Sequence, residues 1–265
     1  MPVVTLLSDF GVKDPYVAEM KAVISTISPE ARMIDISHSI EKFNIRMGAF
    51  VLASASPYFP KGTVHVGVVD PGVGTKRCAL LVETERAFYI GPDNGLLMLA
   101  AQSDKIRHVY VITNTRLMRP HVSLTFHGRD VFAPAAAHLV NGTALTDFGT
   151  EIKDYVIPTF AAPVLKGREL TGEVLHIDDF GNIITNVASK DLRKIEAKQE
   201  KFLTVRQKNK MLRIRFCKVY GEVAVRDILA LIGSHDFLEI AVNQGNASKK
   251  LKTKVGDVLT VSFEH

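Results

Sequence analysis

The sequence predicts an α/β protein in two parts: an N-terminal three-layer α/β domain with a mainly parallel sheet, and a small C-terminal all-β barrel. Three observations predict it. In residues 1–157, short apolar segments alternate with segments of helical spacing. In residues 170–265, short strand-like segments follow one another between turns. The composition changes at residues 158–163, which begin and end with proline, and we interpret residues 158–169 as a linker.

The N-terminal elements follow from apolar spacing and from the positions of proline. The predicted strands are residues 3–7, 32–36, 63–69, 79–83, 87–90 and 108–113. The predicted helices are residues 16–28, 45–56 and 131–140, with a short helix after the turn at 91–95. Pro29 and Pro57 end the first two helices, and Pro134 lies in the first turn of the third, where proline is tolerated. The order β-α-β-α-β favours parallel pairing of the first strands.

The C-terminal part has no segment of comparable helical spacing. Its predicted strands are residues 172–178, 181–187, 202–206, 213–217, 237–242 and 257–263. Short strands at this spacing are typical of a small barrel or sandwich.

Composition and charge exclude several classes of protein. The chain has 265 residues, 46% of them hydrophobic and 23% charged, which is typical of a globular protein and argues against wholesale disorder. The net charge of +5 is concentrated after residue 190, in segments 190–202, 206–216 and 248–254. Such segments can bind nucleic acid, but no aromatic residues are interleaved with these lysines in a stacking pattern. We therefore interpret them as a solvated face and do not expect a nucleic-acid partner.

The two cysteines and the N-terminal residues indicate the cellular compartment of the protein. Cys78 and Cys217 lie far apart in apolar segments, which predicts buried thiols in a reducing compartment and no disulfide. The N-terminus lacks a basic region, and Asp9 interrupts its apolar run, so we do not expect a signal peptide. No apolar stretch approaches the ~18 residues of a membrane span. We expect a cytoplasmic protein without a membrane partner.

Charged side chains follow three predicted strand ends in the first half. Asp9 follows the first strand, Asp70 follows the strand at 63–69, and His127 lies in the strand-like segment 123–130. Arg77 comes shortly after Asp70, across a loop that contains two glycines. Because open α/β sheets place their chemistry at the carboxyl ends of parallel strands, we expect these residues to form one site.

Several motif-like segments have simpler explanations. The DFG at residues 9–11 and the GRD at 128–130 occur without the other parts of a kinase signature and in reversed order. The loop at 72–74 lacks the third glycine of a dinucleotide fingerprint. No paired-histidine zinc motif is present, so we expect no metal.

Six blocks occur together in a distinctive order: SDFGVKD, VVDPGVGTKR, PDNGLL, TFHGRDVFAP, DDFGNIITN and GSHDFLEIAVNQGNA. With them the chain resembles the S-adenosyl-L-methionine hydroxide adenosyltransferase family (SAM hydrolases), whose relatives include the fluorinase and the chlorinase. The resemblance implies an N-terminal α/β domain and a C-terminal barrel. It also implies a homotrimer in which the ligand lies between one subunit's N-domain and its neighbour's barrel.

The resemblance also implies which residues carry the chemistry. The family's Asp-Arg-His triad falls on Asp70, Arg77 and His127. Asp70 and His127 would accept hydrogen bonds from the attacking water, and Arg77 would stabilise the developing hydroxide. The halogenases differ at the positions of Asp70 and His127, which favours water over halide as the nucleophile.

For substrate binding, the resemblance implies a second set of residues. Asp9 would accept the ribose hydroxyls. The other implied contacts are Asp14 and Asp178 with the methionine amino group, Phe180 and Asn182 with the adenine, and Ser234 and residues Val242 to Gln244 with both ends of the ligand.

The leading hypothesis is thus an enzyme that converts S-adenosyl-L-methionine and water to adenosine and L-methionine, with no cofactor. Two alternatives stay open at this point. One is halide transfer to the same C5′ carbon, and the other is a sensor that binds S-adenosyl-L-methionine or adenosine without significant turnover.

Overall fold

The chain folds as two units in its computed structural model, which describes residues 1–197, 201–208 and 210–263. The first unit is Met1–Pro158, and the second begins at Thr159. Residues 198–200 and 209 of the predicted basic segments, and residues 264–265 of the predicted barrel domain, lie outside the described residues. In the described part of the chain, no helix is long and apolar enough to cross a membrane.

A six-stranded sheet organises the first unit, all of which is described. Its strands are β1 Val3–Ser8, β2 Arg32–Ser37, β3 Val64–Val68, β4 Ala79–Thr84, β5 Phe88–Pro92 and β6 Ile106–Val111. The spatial order is β2-β1-β3-β5-β4-β6. The strands β2, β1, β3 and β5 are parallel to one another, and β4 pairs antiparallel with β5 and β6. The prediction of a mainly parallel sheet is confirmed.

Helices cover both faces of this sheet. They are α1 Tyr16–Ile27, α2 Ile45–Ala55, α3 Met98–Ser103 and α4 Ala133–Val140. One buried cluster joins the sheet to α1 and α4, with Leu6 packed among Met20 and Ile24. The next residue, Leu7, belongs to a separate cluster with Leu52 of α2 and residues of α3. Because successive side chains of a strand point to opposite faces, these two clusters are the two interfaces of a three-layer domain.

The predicted strand at residues 123–130 is wrong. Residues 123–126 form a loop, and His127 precedes a π-type turn, Gly128–Phe132, that leads directly into α4. The alternation of polar and apolar residues suggested a half-buried strand, but Leu124 is 73% exposed. The loop is closed instead by the buried carboxylate of Asp130, which accepts a hydrogen bond from the backbone N–H of Ser123 at 2.9 Å.

The second unit contains the predicted barrel. Among its described residues the strands are β7 Val164–Lys166, β8 Glu169–Ile177, β9 Ile183–Ala188, β10 Phe202–Gln207, β11 Lys210–Phe216, β12 Ile228–Ile232, β13 Phe237–Val242 and β14 Val258–Phe263. These strands form one sheet in the order β14-β10-β11-β12-β13-β9-β8-β7, and pairing of β14 with β8 closes it. Two short helices, α5 Ser189–Lys194 and α6 Ala247–Leu251, complete the unit.

Two of these strands were not predicted. β12 is the apolar run ILALI, which lacks the alternation of a half-buried strand and is rich in residues that also favour helices. Its pairing with β13 makes it a strand. β7 lies inside the predicted linker, as does a 3₁₀ turn at Thr159–Ala161.

A buried histidine in β3 gives the first unit a pH-dependent stability. His65 is fully buried, stacks on Tyr89 at a ring distance of 5.0 Å, and pairs through Nδ1 with the hydroxyl of Thr5 at 2.7 Å. Burial lowers its pKa from 6.5 to about 4. Between these two values the unfolded chain binds the proton and the folded chain does not, so the folded state loses stability as the pH falls.

We expect His65 to make the free energy of unfolding about 3 kcal/mol lower at pH 4 than at pH 6.5, at about 1.4 kcal/mol per pKa unit. Urea denaturation at a series of pH values measures this difference. His65→Asn should flatten the dependence in this window, whereas His121→Asn, at an exposed histidine of the same unit, should leave it unchanged. If the free energy of unfolding depended on pH equally in the wild type and in His65→Asn, His65 would not be the source of this dependence.

Candidate active site

Three side chains from two loops of the first unit meet through one guanidinium group. Arg77 donates from Nε to both carboxylate oxygens of Asp70 at 3.0 Å, and from Nη2 to one of them. The same Nη2 lies 2.8 Å from Nδ1 of His127. The Arg77 and Asp70 side chains are 10% and 5% exposed, so this ion pair is largely shielded from solvent. The structure therefore brings together the three residues predicted to be catalytic.

The chain positions the three residues with a tight loop after β3. Asp70 lies two residues after the end of that strand, and Arg77 lies two residues before β4. Between them Gly74 has a φ of +75°, a conformation that side chains other than glycine rarely adopt. A Cβ at Gly74 would lie 2.3 Å from the carbonyl oxygen of Leu124. Glycine at this position thus lets the Asp70 loop approach the loop that leads to His127.

The contact with Arg77 fixes the protonation of His127. Because a guanidinium can only donate, Nδ1 of His127 is the acceptor, and the neutral ring carries its proton on Nε2. Burial and the charge of Arg77 lower the pKa of His127, although Asp70 and Asp130 act in the opposite direction. The ring is therefore neutral at pH 7 and offers an N–H donor at Nε2. This differs from the prediction that His127 accepts a hydrogen bond from water.

An ion-pair cluster supports the His127 loop from behind. Asp130, which is fully buried, accepts from Nε and Nη2 of Arg129 at 2.7 and 3.0 Å. Arg129 also donates to Glu19 of α1 at 2.8 Å. The π-type turn that begins at Gly128 adds a constraint, since such turns are rare and occur often at functional sites. These contacts fix the backbone that carries His127.

Asp9 lies at the end of β1 and is held by the loop before α2. Its Oδ2 accepts the backbone N–H of Phe43 at 2.9 Å, and Lys42 donates from Nζ to its backbone carbonyl. Phe43 has a φ of +64°, unusual for a bulky residue, and this conformation directs its N–H towards the carboxylate. Asp9 is 6% exposed, so its orientation is set before any ligand binds.

One cavity joins these groups. It has a volume of about 430 Å³, and its lining includes Asp9, Asp70 and His127. The rest of the lining is mostly aromatic and apolar: Phe10, Tyr16, Phe43, Phe126, Val68 and Val73, with Lys42, Thr125 and Gly128. Asp14, predicted to bind the substrate amino group, is exposed in the loop before α1 and is not part of this lining.

Sequence reasoning missed the aromatic lining. Phe10 and Phe126 are direct neighbours of Asp9 and His127, and Tyr16 begins α1. The available signal was their place inside the SDFG and TFHG blocks, beside residues already assigned to the site.

In the barrel, three of the predicted residues lie on one loop, between β8 and β9. Both carboxylate oxygens of Asp178 accept hydrogen bonds from Asn182, from its backbone N–H at 2.8 Å and its side-chain amide at 2.9 Å. Phe180, between them, is 78% exposed. Gly181 has a φ of +85°, and a Cβ there would lie 2.0 Å from the side chain of Asn246. This loop is therefore closed on itself, packed against the start of α6, and presents an aromatic ring to its surroundings.

The other predicted barrel residues lie at the two ends of β13. Val242 is the last residue of that strand, and Gln244 lies in the turn that follows, with a φ of +51°. Ser234 lies in the loop before the strand. Because β9 and β13 are antiparallel and pair Ile183 with Ile240, the Val242 end of β13 lies beside the Asp178–Asn182 loop.

Sequence models of known families identify both units. The model of the SAM hydroxide adenosyltransferase N-terminal domain matches residues 4–149, and the model of the C-terminal domain matches residues 172–260. The chain belongs to the SAM hydroxide adenosyltransferase family. The expected resemblance is thus confirmed, and with it the two-part α/β and barrel architecture.

Individual relatives agree with this assignment. The chain is 39% identical to the (R)-S-adenosyl-L-methionine hydrolase of Thermus thermophilus, over 96% of each chain. A fluorinase of an Actinoplanes species is 28% identical, over 73% of this chain and 74% of the relative. Among solved structures, an uncharacterized conserved protein from Thermotoga maritima superposes with a TM-score of 0.86 at 38% identity, over 98% of this chain and 99% of that one. This SAM hydroxide adenosyltransferase family member is therefore more similar to that hydrolase than to that fluorinase.

Proposed function

We propose that this SAM hydroxide adenosyltransferase family member hydrolyses S-adenosyl-L-methionine to adenosine and L-methionine, with water attacking the C5′ carbon. The observation that carries this proposal is the contact of Arg77 with both Asp70 and His127 at the wall of a cavity. Full-length similarity to a relative named (R)-S-adenosyl-L-methionine hydrolase supports the same reaction.

The leaving group of this reaction needs little assistance from the protein. A sulfonium departs as a neutral thioether, so neither a metal nor a general acid is required on that side. The oxygen of water forms a bond to C5′ while the C5′–S bond breaks and its electron pair stays on sulfur. One proton must leave the water oxygen. Holding water and C5′ in line can supply ~7–11 kcal/mol of the reduction in barrier.

The three residues divide this task by their hydrogen-bonding capacity. Asp70 is the acceptor in the set, because Arg77 only donates and Nδ1 of His127 is already occupied. We propose that Asp70 accepts a hydrogen bond from the water, takes its proton as the C–O bond forms, and releases it to solvent. His127 donates from Nε2 to the water oxygen and orients a lone pair towards C5′. Arg77 holds both residues in place.

The substrate contacts are proposed from the family resemblance together with position. Asp9, already fixed by Phe43, suits the ribose hydroxyls because its carboxylate retains acceptor capacity. The other proposed contacts are Asp14 and Asp178 for the amino group, Phe180 and Asn182 for the adenine, and Ser234, Val242 and Gln244 for the two ends.

The exposed apolar residues near the cavity support the proposal of a trimer with shared sites. Phe43 lines the cavity and is 69% exposed, and Leu124, beside the lining residue Thr125, is 73% exposed. Exposed apolar surface of this kind marks interaction sites. A neighbouring subunit's barrel, with its exposed Phe180, is the proposed cover. We also propose a cytoplasmic location, in keeping with two free cysteines.

The substrate proposal is tested by following oxygen. In ¹⁸O-labelled water that contains chloride, we expect the enzyme to release adenosine labelled at its 5′ hydroxyl, together with unlabelled methionine. With a mixture of sulfonium epimers, we expect the (R) epimer to be consumed first, as the names of the relatives suggest. Chromatography with mass spectrometry separates all of these products.

Three results would overturn parts of the proposal. A 5′-chloro product would assign the enzyme to halide transfer. Homoserine with methylthioadenosine would place the attack on the methionine side chain and exclude C5′. Saturable binding of S-adenosyl-L-methionine without any product would favour the hypothesis of a sensor. A heat-inactivated sample measures the spontaneous decay of the substrate, which must be subtracted.

A further inference from the structure

Three aromatic rings pack together on one wall of the cavity. The ring centroids of Phe10 and Tyr16 are 5.6 Å apart, those of Phe10 and Phe126 are 5.6 Å apart, and those of Tyr16 and Phe126 are 5.1 Å apart. All three residues line the cavity that contains Asp9, Asp70 and His127. We call these rings the aromatic triad. The planes of the three rings are inclined to one another by 55°, 81° and 82°, so the ring faces point in different directions.

We propose that the aromatic triad binds the sulfonium cation of the substrate and distinguishes it from neutral thioethers. This inference rests on the proposed function, because it assumes a sulfonium in this cavity. The face of an aromatic ring is negative, and several such faces together are a known solution for cations that cannot donate hydrogen bonds. A trialkyl sulfonium is such a cation, since it has no N–H or O–H.

Charges already present support this use of the rings. The guanidinium of Arg129 lies over the ring of Phe126, 5.0 Å from its centroid, so a cation already occupies one face of the triad. That charge is balanced by Asp130 and Glu19. Phe10 and Tyr16 therefore supply the faces for a second cation. Tyr16 is 43% exposed, so its ring can adjust to a ligand.

The position of the triad along the chain fits the direction of the reaction. Phe10 follows Asp9, the proposed ribose contact, and Phe126 precedes His127, the proposed water contact. The sulfur must lie across C5′ from the attacking water. A group that binds the sulfur therefore lies in the same cavity as the ribose and water contacts, as these rings do.

The positive charge on the substrate sulfur also affects the kinetics. The positive charge on sulfur disappears as the C–S bond breaks, so a ring–cation contact is stronger in the ground state than in the transition state. Such a contact tightens substrate binding without raising kcat. We expect loss of a ring to raise KM while kcat stays the same or increases.

Two ligands that do not react separate charge from shape. S-adenosyl-L-homocysteine is a neutral thioether, and sinefungin carries an ammonium in place of the sulfonium. We expect Tyr16→Leu and Phe10→Leu each to weaken sinefungin binding about 2- to 30-fold, the range of a cation–π contact. The affinity for S-adenosyl-L-homocysteine should change little in both variants. Isothermal titration calorimetry on the full chain measures both affinities.

Matched variants control for folding and for the hydroxyl. Tyr16→Phe keeps the ring and should bind sinefungin as the wild type does, and Tyr58→Leu removes an exposed ring that is not part of the cavity lining. Equal weakening of both ligands in Tyr16→Leu and Phe10→Leu would show that the rings provide only apolar packing. Unchanged affinity for sinefungin in both would also overturn the inference. Since neither ligand reacts, this test is separate from the hydrolysis test of the proposed function.

Discussion

We expect Asp70→Asn to lower kcat for S-adenosyl-L-methionine hydrolysis by about 10²- to 10⁴-fold, the usual contribution of a positioned acid–base group. Asparagine has nearly the same shape as aspartate, so packing is little changed. Its amide can offer only one acceptor atom, and its NH₂ group would face a guanidinium that already donates at 3.0 Å. The water would lose its acceptor.

The effect should fall on the chemical step and spare binding. We expect the affinity for the unreactive S-adenosyl-L-homocysteine to change little, because the proposed ligand contacts lie elsewhere. Single-turnover rates by chromatography give the chemical step directly. Asp147→Asn, at an exposed carboxylate that is not part of the cavity lining, is the matched control. A single-turnover rate equal to that of the wild type would remove Asp70 from the mechanism.

Asp9 and Asp70 show what sequence pattern can predict. Each follows an apolar strand, and parallel strands bring their carboxyl ends to the same edge of a sheet. β1 and β3 are indeed adjacent and parallel, and both carboxylates line one cavity. The prediction succeeded because strand direction and adjacency follow from a short β-α-β pattern.

The loop before His127 shows where local pattern fails. Residues 123–126 alternate like a strand, yet their conformation is decided by Asp130, whose buried carboxylate binds the N–H of Ser123. The run ILALI of β12 likewise takes its conformation from its pairing with β13. In both cases a partner elsewhere in the chain determines the outcome, and a window of a few residues does not contain it.

Side-chain direction is the part of the site that required the structure. Motif order can pick out His127, but it cannot say which ring nitrogen faces Arg77. That contact, at 2.8 Å, makes Nδ1 the acceptor and leaves the ring proton on Nε2. The left-handed conformation of Phe43 and its bond to Asp9 could not be predicted either, because Phe rarely adopts it.

Arg77→Met should reduce stability as well as activity. Asp70 would lose its guanidinium partner while its side chain stays only 5% exposed. Breaking such a shielded pair costs about 3–5 kcal/mol of the free energy of unfolding. We also expect kcat to fall by about 10²- to 10³-fold, as for other preorganised hydrogen-bond donors in active sites. Arg32→Met, at an exposed arginine of β2, is the control for loss of one charge.

Arg77→Lys separates charge from geometry. An ammonium is a point charge and cannot reproduce the planar contacts that reach Asp70 and His127 together. We expect this variant to recover much of the stability and little of the activity that Arg77→Met loses.

The tautomer of His127 can be followed by imidazole ¹H–¹⁵N spectra. The wild type should show His127 protonated at Nε2, and Arg77→Met should show a mixture of the two tautomers. In Arg77→Met the pKa of His127 should also rise, because one of the charges that lower it is gone. Full activity in Arg77→Lys would mean that the positive charge alone suffices, and that the fixed ring of His127 does not contribute to the rate.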